Sequence, residues 1–132
     1  MWVYPQTDPA EMPALVLAYI GDAVLELYVR TALVSQGLSK VRKLHNEASN
    51  QVRATSQAQY LHELEHLLTE KEKAVVKRGR NAKSGHTPKN TEVIDYRLST
   101  GFEALFGYLF LTRSDERISE LLKYLFTNTG ID

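Results

Sequence analysis

The 132-residue chain has no cysteine. That excludes a disulfide scaffold, a thiolate-held zinc ion and a cysteine nucleophile, and it fits a reducing compartment. Net charge is also missing, with 16 Lys/Arg against 16 Asp/Glu, so any anionic partner must be met by a local patch and not by the whole surface. No apolar run is long. The stretches from Ala14 to Gly21 and from Ala104 to Leu111 fall well short of the roughly 20 residues of a membrane span. The opening Met1-Trp2-Val3-Tyr4-Pro5 has neither the basic segment nor the apolar segment of a secretory signal. With 43% hydrophobic and 24% charged residues, the chain has enough apolar material for a core and too little charge for a disordered composition. The expectation is one soluble, cytoplasmic domain over residues 1–132.

Strand-type alternation is absent as well, which predicts an all-α helical bundle. Asp8-Pro9-Ala10-Glu11 reads as a helix start, with Asp at the N-cap, Pro at the first helical position and Glu two further on. That helix is expected to run to about Ser35 and to stop at Gln36-Gly37. Ser39 is positioned to cap a second helix reaching about Asn50, and a third spans about Arg53 to Leu68. Thr69-Glu70-Lys71-Glu72 is a capping box for a fourth, ending near Gly79. Asn81 to Asn90 reads as a loop, Thr91 to Thr112 as a long helix, and Ser114 or Asp115 as the cap of the last helix, which ends before Gly130.

Two of these helices are apolar on almost every side, which predicts central positions and an aromatic core of Tyr19, Tyr28, Phe102, Phe106, Tyr108 and Phe110. Each carries few acids. Residues 14–29 hold only Asp22 and Glu26, and residues 101–111 only Glu103. A buried carboxylate costs several kcal/mol unless it is paired or binds a cation. Asp22 and Glu103 could meet and share a hard cation, for which oxygen ligands and water suit Mg²⁺. Each could equally pair with a buried Lys or Arg, or with a backbone donor. Gly21 and Gly107 lie in these two segments and would permit close backbone approach.

The charge distribution is uneven. Lys77, Arg78, Arg80, Lys83 and Lys89 lie in a 13-residue stretch without an acid, and Lys40, Arg42 and Lys43 form a second basic group. Such a stretch is either a solvated loop or a phosphate-binding one.

Three blocks resemble the ribonuclease III family. Tyr19-Ile20-Gly21-Asp22-Ala23-Val24-Leu25 is similar to its first signature. Ser99-Thr100-Gly101-Phe102-Glu103-Ala104-Leu105-Phe106-Gly107-Tyr108-Leu109 is similar to its second acidic helix. Tyr96, Arg97 and the segments Arg78 to Gly85 and Thr87 to Asn90 resemble the Mini-ribonuclease III branch. The resemblance runs from about Leu15 to Phe126. It implies an Mg²⁺-dependent endonuclease for double-stranded RNA, with Mn²⁺ able to substitute. Asp22 falls on the catalytic Asp and Glu103 on the metal-binding Glu. Lys77, Arg78, Arg80, Lys83 and Lys89 become RNA-binding candidates in a domain that grips the duplex without a separate RNA-binding module. It further implies a homodimer with one site per subunit and a role in maturing large-subunit ribosomal RNA. The family's other acids are missing: their positions hold Leu15, Ala18 and Thr100, as in the Mini branch. Glu26 has no counterpart in the family and reads as structural.

Two other functions compete. A non-catalytic, ribosome-associated RNA binder could keep the same fold. His62-Glu63-Leu64-Glu65-His66 matches the zinc-peptidase pattern His-Glu-x-x-His, which places both imidazoles on one helical face. Against the peptidase, Leu61, Leu64 and Leu68 define the expected buried stripe of that helix, leaving the two histidines on a polar side.

Overall fold

The computed structural model describes residues 2–82, 87–89 and 91–127. Among them are six α-helices and no strand: α1 Ala14–Ser35, α2 Val41–Val52, α3 Ala54–Leu64, α4 Glu70–Asn81, α5 Val93–Leu111 and α6 Asp115–Thr127. The all-α class expected from the hydrophobic pattern is the class observed. No helix among the described residues is long and apolar enough to cross a membrane.

Helix α5 is the hub. It packs against α1, α3, α4 and α6, and Ala104, Leu105 and Phe106 in its middle are fully buried. Phe102 and Phe106 lie tilted against each other with ring centroids 4.9 Å apart, and Tyr60 of α3 contacts both Phe102 and Phe126. Side chains of this size contribute about 1.5–3 kcal/mol each by leaving water, so this cluster anchors the fold. A smaller cluster, with Met12, Leu17, Val75 and Leu111, lies under the N-terminal segment. Tyr4 stacks on Phe110, Trp2 meets the same ring edge-on, and Arg113 lies 4.3 Å above the Tyr4 ring.

Several boundaries differ from the sequence reading. Asp8 does cap, accepting from the Ala10 amide at 3.0 Å, but the helix it opens is a single 3₁₀ turn, Pro9–Glu11. Pro13 stops that turn: the residue before a proline is pushed into extended backbone, and Met12 has φ −73° and ψ 146°. Helix α1 therefore begins only at Ala14. Lys40, not Ser39, occupies the N-cap of α2, without a side-chain hydrogen bond. Helix α3 ends at Leu64 and tightens into a second 3₁₀ turn, Glu65–Leu67.

The capping box of α4 forms as its sequence specifies. Thr69 Oγ1 accepts from the Glu72 amide, and Glu72 Oε1 accepts from the Thr69 amide. Glu72 also receives two hydrogen bonds of 2.8 Å from Arg117, whose guanidinium donates to the Leu67 carbonyl as well. This joins α4, the 3₁₀ turn and α6 through one buried carboxylate.

Candidate active site

The site begins with two glycines. Helices α1 and α5 approach so closely that a Cβ on Gly21 would stand 1.7 Å from the Glu103 carbonyl oxygen, and one on Gly107 would stand 1.8 Å from the Leu17 carbonyl oxygen. Only residues without a Cβ allow that approach. It sets Asp22, next to Gly21, beside Glu103, four residues before Gly107.

The two carboxyl groups meet, which is one of the arrangements the sequence left open. Burial, then the negative charge of Asp22 and the hydrogen bond between the pair, push Glu103 up to about 8. Burial disfavours the charged form, and a second carboxylate disfavours it further. Gln57 of α3 acts in the opposite sense on Glu103. Neither neighbour is basic, so among the described residues Glu103 is not paired with a Lys or Arg. The surroundings of Asp22 differ from expectation: Asp22 is exposed, because α1 covers α5 with one face only. Val16, Tyr19 and Leu27 on its outer face are 45%, 79% and 51% exposed. Tyr19 is thus not a core residue, and the more enclosed helix is α5, buried over most of residues 98–111 although Val93 and Ile94 at its start are exposed. Glu26 pairs with Arg30 at 2.9 Å on the helix surface, in keeping with a structural role.

The positions where the family's further acids are absent contribute no carboxylate here. Ala18 and Thr100 are buried, and the Thr100 hydroxyl donates to the Tyr96 carbonyl. Among the described residues no group of three or more His, Cys, Asp or Glu could hold a metal ion. A cation between Asp22 and Glu103 therefore suits a hard ion that keeps most of its shell as water or substrate oxygen. Two carboxylates without a basic partner among the described residues, one half-buried and one facing solvent, fit such an ion.

The basic candidates separate into distinct settings. Lys77 and Arg80 are exposed on α4 and line a groove of 440 Å³ together with His66 and Lys73. Lys73, one turn before Lys77, was not singled out from sequence, although the i, i+4 spacing places both on one face. Arg78 is occupied otherwise: its guanidinium donates to the Ala10 carbonyl at 3.2 Å and to the Met12 carbonyl, strapping the N-terminal segment to α4. Lys89 is exposed on a turn, and Lys83 lies outside the described residues.

The histidine motif does not assemble. Helix α3 stops between His62 and His66, so the two are not on one α-helical face. His62 faces Glu65 at 3.8 Å, while His66 contacts Tyr124. Leu61, Leu64 and Leu68 are buried, as the stripe required.

Comparison with known proteins agrees with this frame. A model of the ribonuclease III domain matches residues 15–114. The Mini-ribonuclease 3 of Desulfitobacterium hafniense is 56% identical over 82% of this chain and 68% of its own length. That of Symbiobacterium thermophilum is 49% identical over 88% and 89%. The crystal structure of protein FN1578 from Fusobacterium nucleatum superposes with a TM-score of 0.82 at 26% identity, over 90% of this chain and 95% of that one. The helical frame is that of a ribonuclease III-type endoribonuclease, and the chain belongs to the ribonuclease III family. Within the family it falls in the Mini-ribonuclease 3 branch.

Proposed function

We propose that this endoribonuclease cleaves double-stranded RNA with Mg²⁺, Mn²⁺ being able to substitute, and that Asp22 and Glu103 are its catalytic and metal-holding residues. The observation that carries this reading is the meeting of those two carboxyls where Gly21 and Gly107 bring α1 and α5 together. Mg²⁺, when bound, supplies an activated water and charge neutralisation on the phosphoryl oxygens. The chain's own part is positional. Glu103, on the buried stretch of α5, offers a carboxylate held in a fixed place. Asp22, on the open side of the pair, offers one that a phosphodiester can reach. At neutral pH without a cation, Glu103 keeps its proton, and it would have to give that proton up to hold a cation.

Lys77, Arg80 and Lys89 are the phosphate contacts in this reading, with Arg78 acting through the N-terminal segment it holds and Lys83 completing the basic stretch. A duplex read by shape needs phosphate and 2′-hydroxyl contacts more than base contacts, which suits a lysine- and arginine-lined groove. The partner chain is a second copy. The exposed apolar face of α1 and the neighbouring 640 Å³ apolar hollow lined by Trp2, Leu27, Phe110 and Ile118 favour association through this side. A precursor of large-subunit ribosomal RNA as substrate is what the family resemblance implies, and a cytoplasmic location is in keeping with that substrate.

The test is cleavage of a long RNA duplex by the purified protein, with Mg²⁺ and with EDTA, alongside Asp22→Asn. Cutting that needs Mg²⁺ and disappears in the variant is the expected result. Duplex binding without cutting by the folded protein would identify a non-catalytic RNA binder instead.

A further inference from the structure

Among the described residues, Gln57 Nε2 is the one buried side-chain polar atom without a hydrogen bond. Gln57 is 2% exposed on α3, the same helix whose Leu61 and Leu64 are fully buried against α5. A buried amide donor without a partner costs about 1–3 kcal/mol, and an apolar side chain of the same shape would remove that cost. The position nevertheless carries an amide, and that amide is near enough to Glu103 to lower its pKa, although no hydrogen bond of good geometry joins them without a cation.

We infer that Gln57 is a positioning residue for Glu103, donating from Nε2 to one carboxylate oxygen so that the other is held toward Asp22 when a cation is bound. A carboxylate that holds a cation is acceptor-only, so a neighbouring N–H is its matched partner. Ligating carboxylates are commonly fixed in this way by a second hydrogen bond, and losing it typically costs 10–100-fold in metal affinity or activity. Glu103 projects from α5 and Asp22 from α1, while Gln57 comes from α3, a third direction that neither of the other helices supplies. With the side chain of Glu103 clamped there, its remaining oxygen has one orientation instead of several, and less ordering is left to be done when the cation binds.

This inference rests on Asp22 and Glu103 being the cation site, and the experiment separates the two. Mn²⁺ affinity is measured by calorimetry on the full chain and on Gln57→Met, Gln57→Leu and Asp22→Asn, with melting temperatures recorded for each. The expected result is loss of Mn²⁺ binding in Asp22→Asn, and 10–100-fold weaker binding in both Gln57 variants at a melting temperature equal to or above that of the unmodified chain. Wild-type affinity in Gln57→Met, with binding lost in Asp22→Asn, would overturn the positioning role and leave Gln57 as core filling. Wild-type affinity in Asp22→Asn would overturn the cation site and the role of Gln57 together. Should neither Gln57 variant fold, the side-chain amide signals of Gln57 in the ¹⁵N spectrum of the unmodified chain decide the matter. They are expected to shift as Mg²⁺ is added, and unmoved signals overturn the inference.

Discussion

Gly21 lies so close to Glu103 that the space a Cβ would need is already filled by the Glu103 carbonyl oxygen, 1.7 Å from its ideal position. The obstructing atom is backbone, so no side-chain rotation can make room. Gly107 and the Leu17 carbonyl repeat the relationship in the opposite direction, at 1.8 Å. Two helices thus lock at a reciprocal contact, and the acid pair sits beside it.

Gly21→Ala and Gly107→Ala are therefore expected to destabilise the protein by about 3 kcal/mol or more each, since overpacking against backbone must separate α1 from α5. For a chain of this size that corresponds to a melting temperature lower by roughly 10 °C. Thermal unfolding followed by circular dichroism checks it. A melting point within a degree or two of the unmodified chain would show that the helices can part without loss.

Glu103 carries a pH signature. Its folded-state pKa is raised to about 8, so between the ordinary carboxylate range and pH 8 the folded chain holds a proton that the unfolded chain has lost. Its contribution to stability is present at low pH and is lost as pH rises toward 8. In EDTA, Glu103→Gln is expected to be more stable than the unmodified chain at pH 7, by roughly 2 kcal/mol. That advantage should grow from pH 5 to 8 and level off above. Urea unfolding across this range measures it, and a pH-independent difference would contradict the raised pKa. The same variant is expected to lose cleavage.

Metal affinity should follow the same proton. Below pH 8, cation binding at Asp22 and Glu103 displaces the Glu103 proton, so Mg²⁺ affinity is expected to increase up to about tenfold per pH unit and to flatten above about 8. Calorimetry in buffers of different ionisation enthalpy reports the released proton directly. Binding at pH 6.5 with no proton release would place the cation elsewhere.

Glu72 behaves in the opposite way. Hydrogen bonds from Arg117 hold its carboxyl below the usual carboxylate range, so its stabilisation is complete above that range and is lost as pH falls through the lowered value. Glu72→Ala removes both the capping box and the partner of Arg117, and is expected to cost about 2–3 kcal/mol at pH 7. The difference from the unmodified chain should shrink below pH 4. Denaturant midpoints at pH 7 and pH 3.5 provide the comparison.

The basic residues can be told apart by salt. Lys77→Ala and Arg80→Ala are each expected to lower the slope of log affinity against log salt for duplex RNA by about 1. Arg78→Ala is expected to act mainly on stability, because its guanidinium ties down the carbonyls of Ala10 and Met12. Equal salt slopes for the unmodified chain and the Lys77/Arg80 double variant would remove the α4 groove from the RNA interface.

The amino-acid sequence by itself determined the helical class, the capping box at Thr69, the close approach at Gly21 and Gly107, and the candidacy of Asp22 and Glu103. These are properties of period, of local hydrogen-bonding chemistry and of the few acids set in apolar surroundings. Even there, one proline mattered more than a good capping pattern: Pro13 cut the first helix short although Asp8, Pro9 and Glu11 all favour helix initiation. The tertiary structure alone decided which apolar helix is the more enclosed, because α1 and α5 are equally hydrophobic and only packing shows that most of residues 98–111 on α5 are buried while Tyr19 on α1 faces out. It alone separated Arg78 from Lys77 and Arg80, since charge is visible in a sequence but its partner is not. It alone brought Gln57 to Glu103, residues 46 positions apart on different helices, because an unsatisfied donor is defined by what surrounds it, and no spacing along the chain encodes that.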